Sequence, residues 1–169
     1  MDVGHRRCPN PDCYAHVFVV FHPNESRVVV SYPPEVIDFD ATNVPTKVVN
    51  ALEEAITCHA NECYIAAAIM VRKTLEELCA DREAKGKNLK DRIRALGGKV
   101  VLPPELLDGL DDLRLLGNDA AHIDSNVYEK IGREEVEVGI EFTKEVLKGV
   151  FQMSDLLARL RGLRAPQEP

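Results

Sequence analysis

The chain has 169 residues, of which 45% are hydrophobic and 29% charged, with no tryptophan and a net charge of −7. That length holds one domain with a small appendage and buries a core without disulfides. The acidic balance excludes a broad, nonspecific grip on nucleic acid, so any RNA contact has to be local.

Residues 1 to 16 are polar and hold His5, Cys8, Cys13 and His16. Val17–Phe21 and Arg27–Tyr32 are β-branched and aromatic runs separated by the turn-forming His22-Pro-Asn-Glu-Ser26. That pattern predicts a two-stranded hairpin. It ends at Pro33-Pro34, and an Asp-rich loop follows to about Val44.

From Pro45, which suits a first-turn position, the period becomes helical. Val48, Val49, Leu52, Ala55 and Ile56 line a first helix, and Asn61 marks its break or cap. Ile65, Ala66, Ile69, Met70, Leu75 and Leu78 give a longer second helix its buried face. Leu89, Ile93 and Leu96 mark a short third helix, stopped by Gly97-Gly98. Pro103-Pro104-Glu105 opens a fourth, running to about His122. A loop over 123–131 leads to a last helix near Gly132, whose seam is Val138, Phe142, Val146, Val150, Phe151, Leu156 and Leu160. The expected fold is all-α, a bundle of about five helices with a small N-terminal β-hairpin appendage resembling half of a zinc ribbon. Its expected limits are 1–34 for the Cys/His segment and hairpin, 35–164 for the bundle and 165–169 for a disordered tail. The long seam exceeds what one chain covers, which predicts a homodimer.

The most informative stretch is Arg114-Leu-Leu-Gly-Asn118-Asp-Ala-Ala-His122. Arg114, Asn118 and His122 recur every fourth residue and share one helix stripe. Arginine grips phosphate, and histidine moves protons near neutral pH. The three are candidate catalytic residues for a phosphodiester. The alternative is structural. His122 would then favour the helix C-terminus, Asn118 would hold a loop, and Gly117 with Ala120-Ala121 would let another helix approach. Arg72 and Glu76, also four apart, are candidate ligand-binding residues that could join the site, or a helix-surface ion pair. Two further basic groups, Arg92, Arg94 and Lys99, and Arg159, Arg161 and Arg164, read as solvated helix faces.

His5-x2-Cys8-x4-Cys13-x2-His16 offers four nitrogen and sulfur ligands for a structural zinc ion; the alternative is a degenerate ribbon with free thiols. Cys58, Cys63 and Cys79 fall among Ala, Ile and Leu and are expected as buried small hydrophobes. No glycine-rich phosphate loop is present: Gly86-Lys87 and Gly97-Gly98-Lys99 lack the spacing.

A series of motifs carries a resemblance. It runs from Tyr32-Pro-Pro34 through Glu53-Glu-Ala55, Cys58 and Arg72-Lys-Thr-Leu-Glu76. It continues with Gly97-Gly98 and ends at Leu113-Arg114 and Gly117-Asn118-Asp-Ala-Ala-His122. The chain thereby resembles the domain-of-unknown-function family 4145 over roughly residues 32 to 155. That family is similar to the HEPN superfamily of helical domains, and its members occur alone or fused to restriction-type endonucleases and helicases. Catalytic HEPN domains are metal-independent ribonucleases that act as dimers. Their motif places a histidine a shorter distance after its arginine than the seven residues between Arg114 and His122.

The resemblance implies a HEPN-like dimer that binds RNA or a nucleotide, and a metal-independent endoribonuclease in bacterial defence or stress response. No cofactor is expected for catalysis. The alternative is a noncatalytic module for dimerisation or protein-partner docking. The N-terminus shows no charged-then-apolar signal pattern, and no apolar run approaches the ~20 residues of a membrane span, so a cytoplasmic location without membrane contact is expected.

Overall fold

Two alternations of local pattern, period two and then period 3.6, divide the chain in the computed structural model as they do in the sequence. The structure describes residues 1–25, 27–121 and 131–163, without the side chains of Asp119 and Ala121. It separates into two units, Met1–Ile37 and Asp38–Pro169. Its content is mostly helical, with a small antiparallel sheet at the N-terminus.

The first unit holds three strands, β1 (Asp2–Arg7), β2 (His16–His22) and β3 (Arg27–Tyr32), in the order β1-β2-β3. The expected hairpin is β2 and β3, paired from Phe18↔Tyr32 to His22↔Arg27, with an irregularity at Val20/Phe21. β1 is an addition. Asp-Val-Gly-His-Arg-Arg has no apolar alternation to mark it, and it forms on the free edge of β2, pairing Asp2↔Phe21 through Arg7↔His16. Gly4 suits that edge, because a Cβ there would come within 3.2 Å of a Val19 methyl.

The second unit contains α1 (Thr46–Ala60), α2 (Tyr64–Asp81), α3 (Leu89–Leu96), α4 (Pro104–Ala121), α5 (Arg133–Leu147) and α6 (Met153–Gly162). Pro45 stands just before α1 as its N-cap, and Asn61 is its C-cap. Val48, Ala51, Leu52, Ala55 and Ile56 form the buried stripe of α1, at the i, i+3, i+4 spacing that brings residues to one face. α1 packs on α2, whose buried residues are Ala67, Ala68, Val71, Thr74, Leu75, Leu78 and Cys79; of the expected face only Leu75 and Leu78 are buried, because α2 presents the neighbouring stripe to the core. α2 is the hub, packed on α1, α4, α5 and α3. Asn88 caps α3 by accepting from the Asp91 backbone N–H at 2.9 Å. The Gly132 N–H donates to Glu135 at the start of α5.

α5 and α6 are joined by a π-helical turn, Lys148–Gln152. The expected seam therefore continues as one helical run, with an extra residue in one turn. Its burial differs from expectation. Val146 and Phe151 are buried, Phe142 and Val150 are half-buried, and Val138, Leu156 and Leu160 face solvent. The buried face of α5 is instead Val136, Ile140, Thr143, Val146 and Leu147, so of the expected seam only Val146 and Phe151 are buried within this chain. The expected loop over 123–131 lies outside the described residues except for Ile131, and so does the expected tail.

Candidate functional site

The helix pair α2 and α4 brings the sequence-predicted arginines to one corner. Gly117 makes this possible. A Cβ at that position would fall on the Arg72 Cβ, closer than carbon atoms approach, and 2.9 Å from the Ala68 carbonyl oxygen. With hydrogen there instead, the two helix backbones meet, and Arg72 lies against the turn that carries Arg114. The Arg72 guanidinium donates to the Arg114 carbonyl at a long 3.4 Å.

Both guanidinium groups already have carboxylates of this chain. Arg114 Nε donates to Asp111 Oδ1 at 2.7 Å, and the Arg114 side chain is 16% exposed. That charge-assisted bond holds the Asp111 carboxyl below its ordinary range against the opposing effect of burial, with further attraction from Arg114, Lys90 and Arg94. Arg72 Nε lies 3.4 Å from Glu76 Oε1. Asn118 follows on α4, half-buried. His122 lies outside the described residues, so the stripe is described through Asn118.

One participant was missed by sequence reasoning. Arg92, read as part of a solvated face, reaches from α3 to α2 and donates to the Glu76 carbonyl at 2.8 Å. Its position between the buried Leu89 and Ile93 held no signal of this, because the direction in which α3 folds back is set by tertiary packing.

The four expected zinc ligands are only partly brought together. His5 and His16 stack with ring centroids 4.8 Å apart, and His5 Nε2 and His16 Nδ1 share a hydrogen bond at 2.6 Å. That bond occupies one nitrogen of each ring. Cys8 and Cys13 sit in the β1–β2 connection, where the Cys8 N–H donates to the Ala15 carbonyl and the Cys13 N–H to the Asn10 carbonyl. Among the described residues, no three His, Cys, Asp or Glu side chains are placed to hold a metal ion. The residues as arranged do not assemble a tetrahedral site.

The remaining cysteines differ from one another. Cys79 is buried, as expected, and its thiol is pushed up to about 11, first by that burial. Cys58 is half-buried, and Cys63 is exposed at the start of α2. The expectation of three buried thiols is met only by Cys79; Cys58 is covered in part, and Cys63 stands at a helix junction, where the helical period no longer sets its direction.

A second surface lies on α5 and α6. Val138 and Phe142 line a groove of about 600 Å3 together with Arg133, Glu134, Glu137, Glu141 and Glu145. Among the described residues of α6, none is buried. Met153, Leu156, Leu157, Leu160 and Leu163 are 43–85% exposed there. Arg159 and Arg161 flank them.

Comparison with known proteins adds one positive finding. The family model of the domain of unknown function DUF4145 matches residues 53–162, more than half of the chain, and the chain belongs to that family. The match runs from within α1 to the end of α6 and includes the arginine corner. No curated protein and no solved structure matches the chain. No helix among the described residues is long and apolar enough to cross a membrane.

Proposed function

We propose that this DUF4145 member is a noncatalytic helical module that pairs with a second copy of itself through the outer face of α5 and α6. The observation that carries the reading is the row of exposed apolar residues on α6, from Met153 to Leu163. Contiguous apolar exposure of this kind marks interaction surfaces in folded proteins.

Charge bears on the occupant. Glu134, Glu137, Glu141 and Glu145 surround Val138 and Phe142 on α5, where Arg133, Lys144 and Lys148 pair with the last three, and Arg159 and Arg161 flank the leucines of α6. Two copies laid antiparallel about a two-fold axis near Gly149 set α6 of each over α5 of the other. Leu160 then lies opposite Val138, Leu156 opposite Phe142, and Arg161 opposite Glu137 of the second copy. Apolar surface meets apolar surface, and Arg161 meets Glu137 of the second copy, the same patch serving both copies as an isologous interface requires. Light scattering of the chain in solution tests this: a dimer mass supports it, and a monomer mass at about 100 μM, weaker than ordinary specific association, overturns it.

A second reading is a HEPN-like phosphodiester site at Arg72, Arg114, Asn118 and His122, serving RNA or nucleotide binding in bacterial defence. Its support is the convergence of Arg72, Arg92 and Arg114 on one corner. An incoming phosphate would have to displace Asp111 from Arg114 and compete with Glu76 for Arg72. In RNA cleavage the substrate 2′-hydroxyl would attack phosphorus, Arg114 would stabilise the developing charge, and His122 would carry a proton, leaving a cyclic phosphate. Cleavage of RNA in EDTA that disappears in His122→Ala supports this reading; absence of cleavage and of binding by folded protein leaves the pairing module.

A further inference from the structure

The end of α1 holds a second place for chemistry. Glu62 takes a left-handed backbone, with φ of 60°. The Cys63 N–H donates to the Cys58 carbonyl at 2.8 Å, and the Glu62 N–H to the His59 carbonyl at 3.0 Å. These two bonds are the paired closure of a Schellman motif, in which the residue three positions before the cap and the second residue beyond it lie side by side. Those positions usually hold two apolar side chains in contact. Here they hold Cys58 and Cys63.

The covalent links on either side of the 2.8 Å hydrogen bond limit the separation of the two Cα atoms to about 6.7 Å. Disulfides span Cα separations of about 4.4–6.8 Å. The backbone therefore stands in range of a bond before any sulfur reacts. Burial chiefly raises the Cys58 thiol, and the next contribution is the charge of Cys63, which places the two sulfurs within electrostatic reach. Cys63 is exposed and open to a reagent, while Cys58 is half-buried behind it.

We propose that Cys58 and Cys63 form a redox-active dithiol that small-molecule disulfides of the glutathione class oxidise to an intramolecular disulfide. Cys63 loses its proton to solvent, and its sulfur attacks one sulfur of the reagent. The reagent's S–S bond breaks, and one of its halves leaves as a thiolate that takes up a proton. Cys58 then gives its proton to solvent and its sulfur attacks Cys63 Sγ. The mixed disulfide breaks and the second half leaves as a thiol. The chain loses two electrons and two protons, and the reagent disulfide is reduced to two thiols. The product staples the end of α1 to the start of α2. This site is independent of the α5–α6 surface and of the arginine corner.

The test equilibrates the full chain in oxidised and reduced glutathione, traps free thiols by acid and alkylation, and maps the cysteines by mass spectrometry. Cys58 and Cys63 fall on one tryptic peptide, Val48–Arg72, whose mass drops by two hydrogens when the bond forms. The same measurement is made in urea. The expected equilibrium constant for the Cys58–Cys63 bond is at least about tenfold larger in the folded chain than in the unfolded chain, because the fold holds the pair in register. Cys58→Ser is expected to leave Cys63 as a persistent mixed disulfide. A folded-to-unfolded ratio below tenfold, or accumulation of the mixed disulfide on Cys63 in the wild type, overturns the proposal.

Discussion

Replacing Gly117 by alanine tests how the arginine corner is built. The new methyl group meets the Arg72 Cβ and the Ala68 carbonyl oxygen, the latter at 2.9 Å. Neither atom is the free end of a flexible side chain, so relief requires α2 and α4 to move apart. Overpacking of this kind costs about 1–3 kcal/mol. Alanine returns up to about 1 kcal/mol over glycine within a helix. The net expectation is a loss of about 1–2 kcal/mol and a fall in Tm of roughly 2–8 °C. Urea denaturation read by circular dichroism measures it. Gly162→Ala is the control: nothing lies within 4 Å of its added Cβ, so its stability should hold or rise by up to about 0.8 kcal/mol. A Gly117→Ala protein as stable as wild type would refute the close approach of α2 and α4, and with it the placement of Arg72 against Arg114.

Three further outcomes are expected. The Asp111 carboxyl is depressed in the folded chain chiefly by the bond from Arg114, so its contribution is present above the ordinary carboxylate range and is lost as pH falls through that range and below it. Asp111→Asn should flatten that acid limb slightly, since a partly exposed pair is worth little; an unchanged pH profile of Tm would count against the pair. Thr143→Val removes a buried hydroxyl that donates to the Gly139 carbonyl at 2.8 Å and should cost about 1 kcal/mol in urea melts; a neutral result would show that this bond adds nothing. In native alkylation at neutral pH, Cys63 should react first and Cys79 last, because Cys79 is buried with its thiol pushed up to about 11; early labelling of Cys79 would contradict the packing of α2.

The helices were legible because Val48 to Ile56, Leu89 to Leu96 and Val138 to Leu160 carry apolar residues at helical spacing, though that spacing did not settle which stripe of the last helix is buried. β1 was not legible, since Asp2–Arg7 gains its structure from the edge of β2 and carries no pattern of its own. Arg114 was singled out with Asn118 and His122, and Arg72 with Glu76, yet the bond from Arg114 to Asp111 and the reach of Arg92 to Glu76 entered only with the fold. Spacing along α4 permits an Asp111–Arg114 bond without requiring it, and Arg92 reaches Glu76 across a loop. The apolar period of α6 was legible, and so was a seam longer than one chain covers, whereas which of its residues are left exposed was not. Periodicity reports that a face is apolar and is silent on whether the partner belongs to the same chain.

If the exposed face of α6 pairs with a second copy, the dimer depends on Leu160. Light scattering on size-exclusion fractions of the wild type and Leu160→Glu tests it directly. Leu160 is 51% exposed, so the substitution should leave the fold intact by circular dichroism. A dimer is expected for the wild type and a folded monomer for Leu160→Glu. A monomeric wild type, or a dimer that Leu160→Glu leaves unchanged, would contradict it.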